Sequence, residues 1–203
     1  MSTPGRAMLW DADGVLQRTP DGWLEDLEAA GGPGFAEDVF AAEAPAVRGE
    51  GRLRDRLAEV LARRPEARVG LEDLLGFWER AVPDEAALAL VGEVRAAGVR
   101  CALATNQHDH RRAWMRDALG LDRRFDDVFY SCELGVAKPE PAYYERVVGV
   151  LGVAPEEVGF VDDSPANVDA ARALGIRAVL HDPASGAEAL RREVSTLLGT
   201  PGA

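Results

Sequence analysis

Residues 7–16, Ala7-Met8-Leu9-Trp10-Asp11-Ala12-Asp13-Gly14-Val15-Leu16, place two acids and a glycine directly after an unbroken apolar run. An apolar run of this length closed by a turn signal reads as a buried strand. The same arrangement recurs along the chain. Val99 to Ala104, with Arg100 as its one charge, precedes Thr105-Asn106. Val128-Phe129-Tyr130 precedes Lys138-Pro139, and Val158-Gly159-Phe160-Val161 precedes Asp162-Asp163-Ser164. With these strands parallel in one sheet, their carboxyl ends share an edge, and ligands of open α/β sheets bind in the crevice at that edge. Residues far apart in sequence are therefore expected to meet in one pocket.

The chain beyond residue 84 alternates regularly. The pattern predicts helices over 84–97, 109–119, 140–151, 165–174 and 186–198, with strands over 99–104, 127–131, 158–161 and 176–180. Such alternation implies a parallel sheet with right-handed crossovers and helices on both faces. Tyr143, Val147, Val150 and Leu151 form an i, i+4, i+7, i+8 stripe expected to face the sheet. Pro141 and Pro165 fall in first turns, and Gly98, Gly120, Gly152 and Gly175 near helix ends. Residues 17–83 show no strand pattern and read as helices: Trp23 to Ala30, Phe35 to Glu43, a stripe through Leu53, Leu57, Val60 and Leu61, and another through Leu71, Leu74, Leu75 and Trp78. The expected organisation is a core of residues 1–16 and 84–203 with a helical insertion of residues 17–83, hinged near 15–20 and 81–84 and lying over the pocket as a lid. A loose tail is expected from Gly199 to Ala203.

At 203 residues, the chain suits one core domain with a smaller insertion, and 47% hydrophobic residues suffice for a real core. A formal charge of -12 argues against a nucleic-acid partner, which needs a basic face. A phosphorylated substrate must then be drawn in locally, by a metal or by placed cations. Cys101 and Cys132 lack C-x-x-C spacing and read as free thiols of a reducing compartment. No basic segment leads into a long apolar stretch, and no run is long enough to span a bilayer. The expectation is a cytoplasmic protein without a membrane partner, acting as a monomer or homodimer.

Each cluster has its own chemistry. Asp11, at the end of the first strand, is placed to attack phosphorus and form an aspartyl-phosphate, splitting hydrolysis into two easier steps. Asp13 can protonate the departing alcohol and later take a proton from water, which calls for a pKa raised by neighbouring carboxylates. Gly14 lets the chain pass close to the phosphate. Asp162 and Asp163 are adjacent acids that need a cation, and oxygen ligands of this kind favour Mg2+. There the ion neutralises charge on the transferred group and aligns it with Asp11. The alternative is that the pair caps the helix at Pro165. Asn167 is placed to brace the metal ligands. Thr105 and Asn106 can hold phosphate oxygens through the hydroxyl and backbone N–H groups, ahead of a helix opened by His108 or Asp109. Lys138 supplies a fixed ammonium beside the nucleophile. Taken singly, each has a plainer reading as a turn, a cap or a surface charge; their order and equivalent places at strand ends give them weight.

In these four segments the chain resembles the haloacid dehalogenase-like hydrolase superfamily, across essentially its whole length. The motifs are Met8 to Leu16, Leu103-Ala104-Thr105-Asn106, Gly135-Val136-Ala137-Lys138-Pro139-Glu140-Pro141, and Phe160-Val161-Asp162-Asp163-Ser164. The resemblance implies a Rossmann-like doubly wound parallel sheet with a small all-helical cap inserted after the first strand. It implies Asp11 as nucleophile, Asp13 as acid and base, and phosphate contacts from Thr105, Asn106 and Lys138. It also implies Mg2+ held by the Asp11 carboxylate, the backbone carbonyl of Asp13 and the fourth-motif acids, Asp163 chiefly with Asp162 beside it. Ala12 departs from the larger apolar residue often found there, without removing a chemical group. The implied activity is a phosphatase acting on a small phosphorylated metabolite. Phosphomutases share the cap position and are the alternative. Dehalogenases of the family lack the second acid that Asp13 supplies, and receiver domains order their acidic pair, threonine and lysine differently.

The remaining candidates read as scaffold. His108, His110 and His181 lack zinc spacing and are expected on the surface. The arginines at 48, 52, 54 and 56 suit a solvated helix face, and Trp23, Phe35, Phe77 and Trp78 suit packing within the insertion.

Overall fold

The structure, a computed structural model, describes residues 7–199. The expected tail lies outside them apart from Gly199, which closes the last helix in a left-handed conformation. Among the described residues seven strands appear: β1 Ala7–Trp10, β2 Gln17–Arg18, β3 Val82–Pro83, β4 Arg100–Thr105, β5 Asp127–Tyr130, β6 Val158–Asp162 and β7 Arg177–Leu180. The α-helices are α1 Trp23–Gly31, α2 Phe35–Val47, α3 Leu53–Arg63, α4 Leu71–Leu75, α5 Glu85–Ala96, α6 Asp109–Asp117, α7 Ser131–Leu134, α8 Pro141–Leu151, α9 Pro165–Ala173 and α10 Gly186–Leu198.

Five strands form one sheet in the order β5-β4-β1-β6-β7, and every pair in it is parallel. The chain builds outward from β1 to β4 and β5, then returns to the other side of β1 for β6 and β7. The reversal of direction falls at β1, which is where open α/β sheets form their crevice. Alternation along β1 sends Ala7 and Leu9 into one core and Met8 and Trp10 into the other. The first core is completed by Tyr143, Tyr144 and Val147 of α8 and Val168 and Ala171 of α9. The second is completed by α5, α6 and α10 through Val91, Met115 and Leu190. The sheet is thus doubly wound, an α/β fold with helices on both faces.

Residues 27–78 form a separate hydrophobic cluster of their own. Leu27, Phe35, Val39, Leu53, Leu57, Val60, Leu74, Phe77 and Trp78 belong to it. The two ends of this helical segment are joined by a two-stranded antiparallel ribbon, Gln17 opposite Pro83 and Arg18 opposite Val82. No strand was expected between residues 17 and 83, since two-residue strands carry no alternation to read. Further bonds tie the segment to the sheet domain: Ser131 Oγ donates to Val47 O at 2.7 Å, and Leu53 N to Asp109 Oδ1 at 2.9 Å.

Three expectations are corrected. Val150 is 61% exposed. At about 100° per residue, the buried Tyr143, Tyr144, Val147 and Leu151 span an arc of about 100°, and Val150 falls about 20° outside it. Helix α2 runs past Glu43 through Pro45 to Val47, and the Pro45 carbonyl accepts from Arg48 N and Glu50 N, each at 3.0 Å. His108 and His181 are buried rather than on the surface. His108 Nδ1 accepts from Arg111 N and so caps α6, while His181 Nδ1 sits 2.7 Å from Glu193 Oε2. Of the arginines expected on a solvated face, Arg54 and Arg48 are exposed as expected and pair there with Glu72 and Glu140. Cys101 and Cys132 are free thiols. Among the described residues, no helix is long and apolar enough to cross a membrane.

Candidate active site

Asp11 is the first residue past the central strand, and its N–H donates to Val161 O at 3.0 Å, carrying the β6 ladder one step further. Trp10 lies level with Leu103 on β4 and with Val161 on β6. Register therefore sets Ala104 of β4 and Asp162 of β6 level with Asp11 on either side, with Thr105, the last residue of β4, one step further along. The chain then turns sharply: Ala12 O accepts from Leu16 N at 2.8 Å and Gln17 N at 3.0 Å, and Gly14 N donates to Gln17 O at 2.8 Å. Gly14 has φ +75°, and a Cβ there would stand 2.1 Å from Asp163 Oδ2. Only glycine lets the turn pass that close to the Asp163 carboxylate.

Lys138 arrives from the loop after α7, and its buried ammonium uses its three donors fully. Nζ lies 2.8 Å from Asp11 Oδ1, 2.6 Å from Asp162 Oδ2 and 2.8 Å from Ala104 O. Its position is set by Asn106, whose Oδ1 accepts from Lys138 N at 2.9 Å and whose Nδ2 donates to Lys138 O at 2.8 Å. The Asn106 amide is thus committed to clamping the lysine loop, which leaves its main chain as the part able to meet an anion. Thr105 is buried beside it, its hydroxyl 3.3 Å from Gln107 Nε2.

The two fourth-cluster acids differ in their surroundings. Asp162 is fully buried, and both its oxygens are occupied: Oδ1 accepts from Ser164 N and Asn167 Nδ2 at 2.8 and 2.9 Å, and Oδ2 from Asn167 Nδ2 at 3.1 Å as well as from Lys138. Asp163 is only partly buried and makes no such set of bonds. Carboxylate oxygens of Asp11, Asp162 and Asp163 all lie within 4.8 Å of one another. Three close carboxylates offering hard oxygen donors suit a divalent cation of the magnesium or calcium type. Asp11 and Asp163 are the two with oxygens to spare.

Electrostatics bear on that cluster. Burial, opposed by Lys138 and reinforced by Asp162, pushes Asp11 up to about 7. Burial and then the Asp162 charge raise Asp163 above the usual carboxylate range. Burial pulls Lys138 down, but Asp11 and Asp162 outweigh it and hold the ammonium above the ordinary lysine value. The site therefore has an excess of negative charge over its one lysine, which a cation at the three carboxylates would relieve.

The surroundings of Asp13 differ from expectation. The Asp11, Asp163 and Glu43 carboxyl groups lie near enough to feel its charge, but its oxygens also meet three N–H donors that were not expected: Gln17 Nε2 and Arg111 Nη2 on Oδ1 at 3.0 and 2.6 Å, and Gln107 Nε2 on Oδ2 at 2.7 Å. Arg111 in turn lies on α6, whose N-cap His108 is 3.4 Å from Glu43 on α2. Glu43 accepts from Trp78 Nε1 at 2.7 Å, and burial pushes it up to about 7. Gln17, Gln107, Arg111 and Glu43 had no signal in sequence, because nothing in their spacing relates them to Asp13. The histidines join no metal cluster among the described residues.

A family model of haloacid dehalogenase-like hydrolases matches residues 6–175. The chain is 33% identical over 160 residues to phosphoserine phosphatase of Thermus thermophilus, a match covering 78% of this chain but 59% of that protein. To phosphoglycolate phosphatase of Rhodospirillum rubrum it is 30% identical over 196 residues, covering 86% of this chain and 78% of that one. A haloacid dehalogenase family enzyme of Bacteroides thetaiotaomicron, crystallised as a magnesium complex, shares the fold with a TM-score of 0.78 at 22% identity, over 89% of this chain and 95% of that one.

Proposed function

The chain belongs to the haloacid dehalogenase-like hydrolases, and from that premise we propose that it is a Mg2+-dependent phosphatase of a small phosphorylated metabolite, acting through an aspartyl-phosphate on Asp11. One observation carries the reading. The buried nucleophile candidate lies 2.8 Å from a lysine that also holds Asp162, and its carboxylate is within 4.8 Å of Asp163. The named activities of the two phosphatase relatives point the same way.

In this reading Asp11, Asp163 and the backbone carbonyl of Asp13 hold the ion, while Asp162 keeps Lys138 and Asn167 in place behind them. A bound Mg2+ supplies charge neutralisation and alignment of the phosphoryl group. Asp11 attacks phosphorus with the oxygen that Lys138 leaves free. Thr105 and the main chain at Asn106 take the phosphoryl oxygens, and Lys138 joins them by giving up its bond to Asp11, stabilising the charge that spreads over them. Asp13 hands a proton to the departing alcohol and takes one from the water that cleaves the aspartyl-phosphate. The helical segment, residues 17–83, acts as a cap on the β2–β3 ribbon, closing to exclude water in the first half-reaction and admitting it for the second.

Chelation tests the reading. Hydrolysis of an aryl phosphate is expected to fall at least about 100-fold on treatment with EDTA and to return with Mg2+; turnover that ignores the chelator would count against it. A panel of sugar, nucleotide and amino-acid phosphates then ranks substrates, since the core contacts only the phosphoryl group. Gly14→Ala is a second check. Its methyl group must displace Asp163 and sits at a φ that L-residues rarely adopt. The variant is expected to bind Mg2+ about tenfold or more weakly, measured by calorimetric titration, with a stability loss of about 1–3 kcal/mol in thermal unfolding.

A further inference from the structure

We propose that Arg111 is a positioning residue for Asp13 in the second half-reaction, the hydrolysis of the phosphorylated nucleophile; this rests on the assignment of Asp11 and Asp13 made above. Arg111 is 7% exposed, yet its guanidinium has one ion pair among the described residues, with Asp13. Burying a guanidinium costs free energy, and an apolar residue of similar volume would serve packing as well or better. The Asp13 side chain is 39% exposed, so the pair is not a sealed core element. A buried arginine instead reaches out from α6 to a carboxylate on the pocket wall.

Its direction is well determined. Arg111 N donates to the capping His108 Nδ1 at 3.2 Å, which fixes the first turn of α6. Gln107, just before that turn, donates its own N–H to Ser131 Oγ at 2.9 Å. The Arg111 guanidinium and the Gln107 and Gln17 amides then converge on the two Asp13 oxygens from α6, the loop before it and the β2 ribbon. A carboxylate facing three N–H donors is presented as an acceptor. That is the form needed when water attacks. The water oxygen bonds to phosphorus while its proton passes to Asp13; the phosphorus–oxygen bond to Asp11 breaks, its electron pair stays on the Asp11 carboxylate, and inorganic phosphate leaves. Of the three donors only Arg111 is charged, and charge-assisted hydrogen bonds are the stronger ones.

The test uses p-nitrophenyl phosphate with saturating Mg2+, because p-nitrophenolate departs with little need of a proton and the second step is isolated. In Arg111→Gln, kcat is expected to fall about tenfold or more with KM falling in parallel, so that kcat/KM stays within about threefold of wild type. A burst approaching one nitrophenolate per active site is expected to accompany it. Arg111→Lys, which keeps the cation and part of the reach, is expected to recover part of kcat with a smaller burst. A fall in kcat/KM as large as that in kcat, with no burst in either variant, would overturn the proposal. Should Arg111→Gln melt early, Arg111→Lys decides by the same two readouts. The parent reading fails separately: Asp11→Asn is expected to show neither burst nor turnover, and activity in it would remove the nucleophile whatever Arg111 does.

Discussion

Asparagine at position 11 is expected to lower turnover by about 10^4-fold or more while leaving the fold intact. The amide has the shape of the carboxylate but is no nucleophile toward phosphorus, so the covalent route closes. The fold should not suffer, for an electrostatic reason. Burial already holds the Asp11 carboxylate well above its usual range, so ionising it in the folded chain is unfavourable. A neutral amide removes that cost. Lys138 loses one carboxylate but keeps Asp162 at 2.6 Å and Ala104 O at 2.8 Å. Thermal unfolding of the metal-free variant is therefore expected at or above the wild-type midpoint. A large drop in the midpoint would mean that inactivity reports misfolding, and undiminished activity would contradict the role of Asp11.

Replacing Lys138 by methionine should have the opposite balance, damaging stability and activity together. The ammonium is buried between two buried carboxylates, and removing it leaves Asp11 and Asp162 unopposed. Breaking a buried pair in this way typically costs about 3–5 kcal/mol, because a charge is left behind without its partner. For a chain of this length that is a fall of about 10 °C in Tm. Saturating Mg2+ is expected to return part of the loss by mass action, and Asp162→Asn in the same chain another part, since it removes one of the orphaned charges. Turnover with Mg2+ present should remain about 10^2-fold or more below wild type, the loss of a cation held against the transferring phosphoryl group. A midpoint within a degree of wild type would show that the Lys138 ammonium is not the counter-charge of the site.

The main lines of the core were legible because they rest on local composition. Runs of apolar residues closed by polar clusters placed β1, β4, β5 and β6 to within a residue or so, and proline and glycine punctuated α8 and α9 as expected. What escaped was either too short to have a period, as with β2 and β3, or decided at an edge of a packed face. Val150 sits just outside the buried arc of α8, and no count of sequence spacing shows where that arc is centred. His108 and His181 read as surface residues because burial of a histidine depends on what packs over it: Glu43 of α2, which meets His108, is remote in sequence, and Glu193, which meets His181, comes back only when α10 folds against the sheet.

The sequence by itself determined which groups stand at the strand ends: Asp11, Thr105, Asp162 and Asp163 each close an apolar run, and a parallel sheet has only one edge for them to share; Lys138 reaches that edge from the loop after α7. The tertiary structure decided how those groups divide the work. Asp162 has its oxygens filled by Lys138, Asn167 and Ser164, while Asp163 keeps its own available; Asn106 is spent on the lysine loop; and Asp13 is met by Arg111, Gln107 and Gln17. The reason is geometric. Strand registry is a consequence of local pattern, but hydrogen-bond capacity is shared among side chains that meet only after the helices have packed, so which oxygen remains free is a property of the assembled site.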